Sequence, residues 1–318
     1  QILVNTNQNF EYELNKIFFN DLNIRQPDYS FDKKKNTAIE KIADNLIQTE
    51  KVIKKEKPDA ILVLGDTNSG LSVYAAKRYK VPIFHIEAGN RCFDQNVPEE
   101  INRKIIDHLS DINLVYSNHA KEHLIRENFH PASIIKVGSP MLEIFKKSKN
   151  KIKQSNILKK LKLKNKSFFL ISYHREENLN TNIKLKKFIN IIKFLNDEFN
   201  YKIIISTHYK LKDKLKNLNF TLNSKKIEFL KPFGYFDYCK LLLNAKLVLS
   251  DSGSLNEEAS IMGFQAVNLR ESHERHEADD EAITQLVSLN ENMLFSIIKN
   301  LNRFKKPKLV QDYNVENF

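Results

Sequence analysis

Apolar residues in this chain fall into two alternating patterns, and the alternation predicts its elements. Short, nearly uninterrupted apolar runs read as buried strands. Longer stretches with apolar residues every three or four positions read as amphipathic helices. Residues 2–4 form the first short run. Residues 8–22 carry Phe10, Leu14, Phe18 and Leu22, which predicts a helix, and residues 37–55 repeat the pattern through Ile39, Ile42, Leu46 and Ile47. Pro58 stops that helix, and residues 60–64 form a fully apolar strand. Gly65-Asp66-Thr67 turns the chain into a helix over 69–79. Strands follow over 81–86, 112–116 and 134–137, with helices starting at Pro98 and spanning 120–127. Residues 146–166 are the least patterned and most lysine-rich, and the domain boundary is placed at their start. Strands resume over 168–173, 202–206, 227–230, 247–249 and 266–269. Helices are predicted over 183–199, 237–244, 255–262 and, mainly, 283–301, and residues 270–280 read as a polar loop.

Strand and helix alternate throughout, so the fold class is α/β, with two doubly wound parallel sheets of the Rossmann-like kind over 1–145 and 146–318. Ligands of such sheets bind outside the carboxyl ends of the strands. Asp66, Glu87, His174, His208 and Ser252 all lie at or just past predicted strand ends. Two domains with such residues on their rims imply a cleft between them.

Composition narrows the function. The 318 residues are 41% hydrophobic, enough for two well-filled cores, and no apolar run approaches a membrane span. The opening residues do not read as a signal peptide, and two cysteines make neither a disulfide framework nor a zinc pattern. A reducing, cytoplasmic setting is expected, with no membrane partner, no metal and no cofactor. The net charge of +12 invites a nucleic-acid reading. Its lysines are scattered through helices with few aromatics among them, however, so no nucleic-acid partner is expected.

The stretch with most chemical content is 247–263. An apolar strand ends in Ser250-Asp251-Ser252-Gly253-Ser254 and runs into a helix, an arrangement that suits a phosphate or diphosphate at the helix N-terminus. The competing reading is structural: Ser254 and Glu257 have the spacing of a capping box, which needs no ligand. Asp66 and Glu99 likewise have a possible capping role, whereas Glu87, between a strand and Ala88-Gly89, has no obvious structural task. His174 reads equally as an ordinary loop histidine.

Six motifs taken in order resemble one family. They are Gly65-Asp66-Thr67, His85-Ile-Glu87-Ala-Gly89-x-Arg91, Pro98-Glu99-Glu100-x-Asn102-Arg103, His174-Arg175-x-Glu177-Asn178, Asp251-Ser252-Gly253-x-x-x-Glu257-Glu258 and Glu274-Arg275-x-Glu277. Together they look like the non-hydrolysing UDP-N-acetylglucosamine 2-epimerases. Cys92-Phe-Asp-Gln95 and residues 171–178 are most similar to the branch that makes UDP-N-acetyl-L-fucosamine from a 6-deoxy sugar. The resemblance implies a two-domain fold like that of GT-B glycosyltransferases, a homodimer, and loss of the C2 proton with expulsion of UDP. UDP would then add back to the 2-acetamidoglycal with protonation from the opposite face. It further implies Asp66, Glu87, Glu99 and His174 as acid/base groups. Ser252, Gly253 and Ser254 would hold the diphosphate with Arg175 and His208, Glu258 the ribose, and Phe233 the uracil. Gln8, Arg91, Arg270 and Arg275 would line the sugar and phosphate side.

The chain also departs from the family. A central first strand with its phosphate-binding loop and a closing C-terminal helix are not found, which reads as truncation at both ends. That is expected to expose an apolar edge and to impair solubility or turnover. Ser254 and Asn7 stand where glycine is usual, and His276 where proline is common.

Overall fold

The computed structural model describes all residues except 9–15, 32–36, 180, 219–223, 282–283, 304–306 and 316–318, and the side chains of Glu176 and Glu177. The chain divides into two compact units, Gln1–Ser139 and Pro140–Asn317.

The first unit contains β1 (Val4–Asn5), α1 (Lys16–Asp21), β2 (Tyr29–Ser30), α2 (Ala38–Glu56), β3 (Ile61–Leu64) and α3 (Val73–Arg78). It continues with β4 (Ile83–Ile86), α4 (Pro98–Leu109), β5 (Ile112–Val115), α5 (Asn118–Arg126) and β6 (Ile134–Lys136). Strands β3-β4-β5-β6 form a parallel four-stranded sheet, and β1 pairs with β2 in a separate parallel ladder. Helix α2 starts at a complete Thr37–Glu40 capping box and closes on Lys57 in the left-handed conformation. Ile53, Val73, Ala76, Ile83 and Ile106 make the core beneath this sheet, with Ile61 and Val63 packed on it. On β3, an edge of the four-stranded sheet, Leu62 and Leu64 are 61% and 57% exposed, an apolar edge of the kind that invites pairing. The predicted helix over 8–22 is described only from Lys16 onward. Phe10 and Leu14 lie outside the described residues.

The second unit contains α6 (Met141–Gln154), α7 (Ile157–Lys160), β7 (Phe168–Ser172), α8 (Glu176–Leu179), α9 (Asn182–Glu198), β8 (Lys202–Ser206), α10 (Tyr209–Asn217) and β9 (Ile227–Leu230). It ends with α11 (Tyr235–Asn244), β10 (Leu247–Ser250), α12 (Leu255–Met262), β11 (Ala266–Asn268), α13 (His276–Asp280), β12 (Gln285–Leu286) and α14 (Glu291–Lys299). Its parallel sheet has the order β12-β11-β10-β7-β8-β9. Phe168 to Ile171 and Val248 to Leu249 are wholly buried, as strands covered on both faces require. The chain winds outward from β7 through β8 to β9, then returns to lay β10 on the other side of β7. The β7–β10 pair is therefore the point at which the winding reverses, where open α/β sheets bind ligands.

Helix α6 runs through residue 146, because Leu142 and Ile152 anchor one continuous helix despite sparse apolar positions. Residues 270–280 are not a surface loop: Arg270, His273, Glu274, Arg275 and Glu277 are all buried, and the segment ends in α13. Asn7 takes φ +56°, which asparagine tolerates, and its side chain donates to the Phe31 carbonyl at 2.7 Å. Among the described residues no helix is long and apolar enough to cross a membrane.

Candidate active site

In the first unit, Asp66 and Glu87 stand just beyond the ends of adjacent strands, β3 and β4. Both turns use left-handed backbone: φ is +71° at Gly65, +70° at Glu87 and +77° at Gly89. A glutamate with positive φ is uncommon, and strain of this kind gathers at functional sites. The Glu87 carboxylate packs against Gly65, with Oε2 3.4 Å from the point where a Cβ would stand.

Helix α4 holds these turns from one side. Arg103 donates to Asp66 Oδ2 through Nε at 3.2 Å and through Nη2. Asn102 Nδ2 donates to the Asp66 carbonyl and to Asn68 Oδ1, each at 3.0 Å. Asp66 thus pairs with an arginine, and the helical turn starting at Gly70 has no side-chain cap. Glu100, fully buried, accepts from Cys92 N at 2.9 Å, Phe93 N at 3.3 Å and Arg103 Nη1 at 2.7 Å. Its neighbour Glu99 is half-buried in the first turn, behind Pro98. Gln8 is exposed and its Oε1 accepts from Ser69 N at 3.3 Å and Ser69 Oγ at 3.0 Å, which ties it to the loop after β3.

Arg91 requires a correction. Its side chain is fully buried rather than turned to a ligand, with Nε and Nη2 each 2.7 Å from the Glu127 carboxylate and Nη1 2.7 Å from Asp107 Oδ2. The buried Asp107 carboxylate and the half-buried Glu127 both face the guanidinium, and they decide its direction.

In the second unit the reversal point carries the chemistry. Asp251, past β10, is fully buried and accepts from His174 N at 3.0 Å, Arg175 N at 2.9 Å and Asn178 Nδ2 at 3.1 Å. His174 Nδ1 is a further 3.2 Å contact. Burial pushes the Asp251 carboxyl up, but the His174 charge and these hydrogen bonds prevail and hold it below the usual carboxylate range. His208 faces the His174 ring at 6.2 Å between centroids. Burial, then the His174 and Lys210 charges, push it down to about 4, so it is neutral at physiological pH. Its Nδ1 accepts from Lys210 N at 3.3 Å, which leaves Nε2 as a donor.

The turn into α12 is closed by size. A Cβ on Gly253 would stand 2.3 Å from Glu274 Oε1 and 2.6 Å from Arg175 Nη2, so a larger residue there must push one of these side chains aside. The capping-box alternative is not what forms. Ser254 has helical backbone and makes no cap hydrogen bond, and Glu257 turns instead to Arg275 Nη2 at 2.8 Å. Ser254 Oγ donates to Glu258 Oε1 at 3.0 Å and lies 3.0 Å from Ser252 Oγ. Ser254 does not cap the first turn of α12, and the positive end of a helix suits an anion. Burial pushes Glu258 up to about 7; the Ser254 hydrogen bond opposes this and the Glu257 charge adds to it. Phe233 is half-buried in the turn before α11.

Arg270 and Arg275, expected to line the sugar and phosphate side, are each only 2% exposed. Arg270 Nη1 is 2.6 Å from Glu274 Oε2, and Arg275 pairs with Glu257. They neutralise carboxylates buried with them. Asp251, Arg103, Asp107 and His85 organise the two sites although sequence reasoning assigned them no separate role. Each lies in or near a quoted motif, and each has a partner at least 22 residues away.

Known proteins resemble this chain over most of its length. The model of a family described as UDP-N-acetylglucosamine 2-epimerase matches residues 1–317. The UDP-N-acetylglucosamine 2-epimerase of Methanocaldococcus jannaschii is 34% identical over 308 residues, 93% of this chain and 83% of that protein. The UDP-2,3-diacetamido-2,3-dideoxy-D-glucuronate 2-epimerase of Pseudomonas aeruginosa is also 34% identical, over 86% of this chain and 76% of its own. Among solved structures, a UDP-N-acetylglucosamine 2-epimerase from Rickettsia bellii is 44% identical with a TM-score of 0.88, covering 98% of this chain and 84% of its own. The M. jannaschii enzyme in complex with UDP-GlcNAc and UDP has a TM-score of 0.92 at 32% identity, covering 98% and 88%.

Proposed function

Because this chain belongs to the UDP-N-acetylglucosamine 2-epimerase family, we propose that it inverts C2 of a UDP-activated N-acetyl amino sugar. The observation that carries the reading is the β7–β10 reversal point. There a helix start whose N-cap Ser254 makes no cap hydrogen bond, Gly253 close under Arg175 and a neutral His208 beside His174 support a diphosphate site. Ser252, Gly253 and Ser254 present the helix end to it, Glu258 accepts from the ribose hydroxyls, and Phe233 flanks the base.

The C2 proton is weakly acidic, so its removal needs a placed base and a leaving group whose charge is met as it develops. One carboxylate among Asp66, Glu87 and Glu99 takes the C2 proton while the C1–O bond to the diphosphate breaks, giving a 2-acetamidoglycal and UDP. UDP then adds back to C1 as a proton reaches C2 from the other face. His174, steadied by Asp251, completes the set of proton-handling groups.

The sugar we favour is a 6-deoxy one, on the resemblance of Cys92 to Gln95 and residues 171–178 to that branch; a cytoplasmic homodimer belongs to the same reading. Incubation in D₂O with UDP-GlcNAc and, separately, with UDP-2-acetamido-2,6-dideoxy-L-talose tests it by NMR. Deuterium at C2 and approach to a fixed epimer ratio are expected, faster with the 6-deoxy sugar. Accumulating UDP and free sugar would mean hydrolysis, and unlabelled substrate would mean binding without epimerisation.

A further inference from the structure

Behind the turns that carry Asp66 and Glu87 lies a buried ionic group with no part in the chemistry above. His85, on β4 two residues before Glu87, is fully buried. Its Nδ1 is 2.7 Å from Asp107 Oδ1, and its Nε2 is 2.9 Å from the Gly65 carbonyl oxygen. Asp107, on α4 and equally buried, also accepts from Arg91 Nη1 at 2.7 Å and from Gly89 N at 3.2 Å. Arg91 continues the chain of charges to Glu127, which His108 Nε2 approaches at 3.3 Å.

Donor and acceptor types decide the state of the His85 ring. A carbonyl oxygen only accepts, and so does an ionised carboxylate. Asp107 is ionised: burial opposes it, but His85 and Arg91 hold it below the usual range. The Nε2 that faces the Gly65 carbonyl must then carry hydrogen, because a bare nitrogen there would set a lone pair against an oxygen in a site without water's screening.

We infer that His85, anchored through Nδ1 by Asp107, is a positioning residue of the active site: its Nε2–H fixes the Gly65 peptide and so sets Asp66 against Glu87. Gly65 is gripped from two sides, since its own N–H donates to the Ile86 carbonyl at 3.0 Å while its carbonyl accepts from His85. The Glu87 carboxylate packs on its α-carbon. Asp107 therefore steadies both turns at once, one through His85 and the other through Gly89. What the turns do rests on the epimerase reading, whereas the His85 Nε2 contact to Gly65 does not.

Two amides separate the two nitrogens. In His85→Gln the amide nitrogen takes the place of Nε2 and keeps a donor toward Gly65. In His85→Asn it takes the place of Nδ1 and keeps only the Asp107 contact. H85N is expected to lose about 10²-fold in kcat, the usual effect of a misplaced catalytic group, with KM and UDP affinity within about twofold of wild type. H85Q is expected to recover about tenfold of that loss. Equal losses in the two variants, or a loss in UDP affinity as large as that in kcat, would overturn the positioning role. The ring itself is read without substrate, from the ¹⁵N spectrum of the wild-type chain. His85 is expected to carry hydrogen on Nε2, the nitrogen that faces the Gly65 carbonyl. A bare Nε2 overturns the inference, whether or not the chain epimerises a sugar and whether or not the variants fold.

Discussion

Replacing Asp251 with asparagine removes the charge around which the second unit arranges its site. The wild-type carboxylate is fully buried and accepts from two backbone amides, one side-chain amide and the His174 ring, all between 2.9 and 3.2 Å. Asparagine keeps one acceptor oxygen and turns an NH₂ group toward donors. Hydrogen bonds to a charged group contribute ~1.5–3 kcal/mol each, and taking away one partner of a buried ion pair costs ~3–5 kcal/mol. The remaining oxygen retains part of this, which leaves a loss of roughly 3–4 kcal/mol by the same figures. At ~2–4 °C per kcal/mol for a unit of this size, D251N is expected to melt roughly 6–16 °C lower by calorimetry at neutral pH. The pH dependence follows from the depressed native carboxyl. Its stabilisation is complete above the ordinary aspartate value of 3.8 and disappears as pH falls through the lower native value. The gap between wild type and variant should therefore narrow in acid. A variant that melts within about 2 °C of wild type at neutral pH, against that calorimetric scale, would refute the account, as would a gap unchanged in acid.

Two further outcomes are expected. Gly253→Ala places a methyl group 2.3 Å from Glu274 Oε1 and 2.6 Å from Arg175 Nη2. Overpacking of this kind costs ~1–3 kcal/mol and displaces Arg175, so UDP affinity by titration calorimetry should fall roughly 5- to 100-fold. Glu258→Gln tests the carboxyl that burial raises from 4.5 to about 7. In the wild type, UDP should bind more tightly as pH rises through about 7 and the carboxylate forms, whereas E258Q should bind weakly and without that dependence. Stability has the opposite sign: the wild type loses stability between 4.5 and about 7 as the buried group ionises, and E258Q should not.

Much of the fold is written locally. Apolar runs such as residues 168–171 and 247–249 are readable as buried strands because a strand covered on both faces needs no polar alternation. Elements with weaker local signals were harder to see. Strands β2 and β12 are two residues long and have no periodicity, and α10 shows only Leu211 and Leu215 as buried apolar positions. The positions past the strand ends were legible as chemistry for the same local reason, since Asp66, Glu87, His174 and Ser252 follow directly from where each strand stops.

What sequence alone determined, then, is the alternation of strands and helices, the turns that carry carboxylates, an imidazole and a glycine-serine step, and the family resemblance of their motifs. Tertiary structure decided which charged groups face outward. Arg91 turns inward to Glu127, 36 positions away, and Arg275 to Glu257, 18 positions away. Asp251 meets the His174 amide across 77 residues. The physical reason is that a long side chain goes where a buried opposite charge awaits it, and only the folded sheet brings those charges within 3 Å or so of one another.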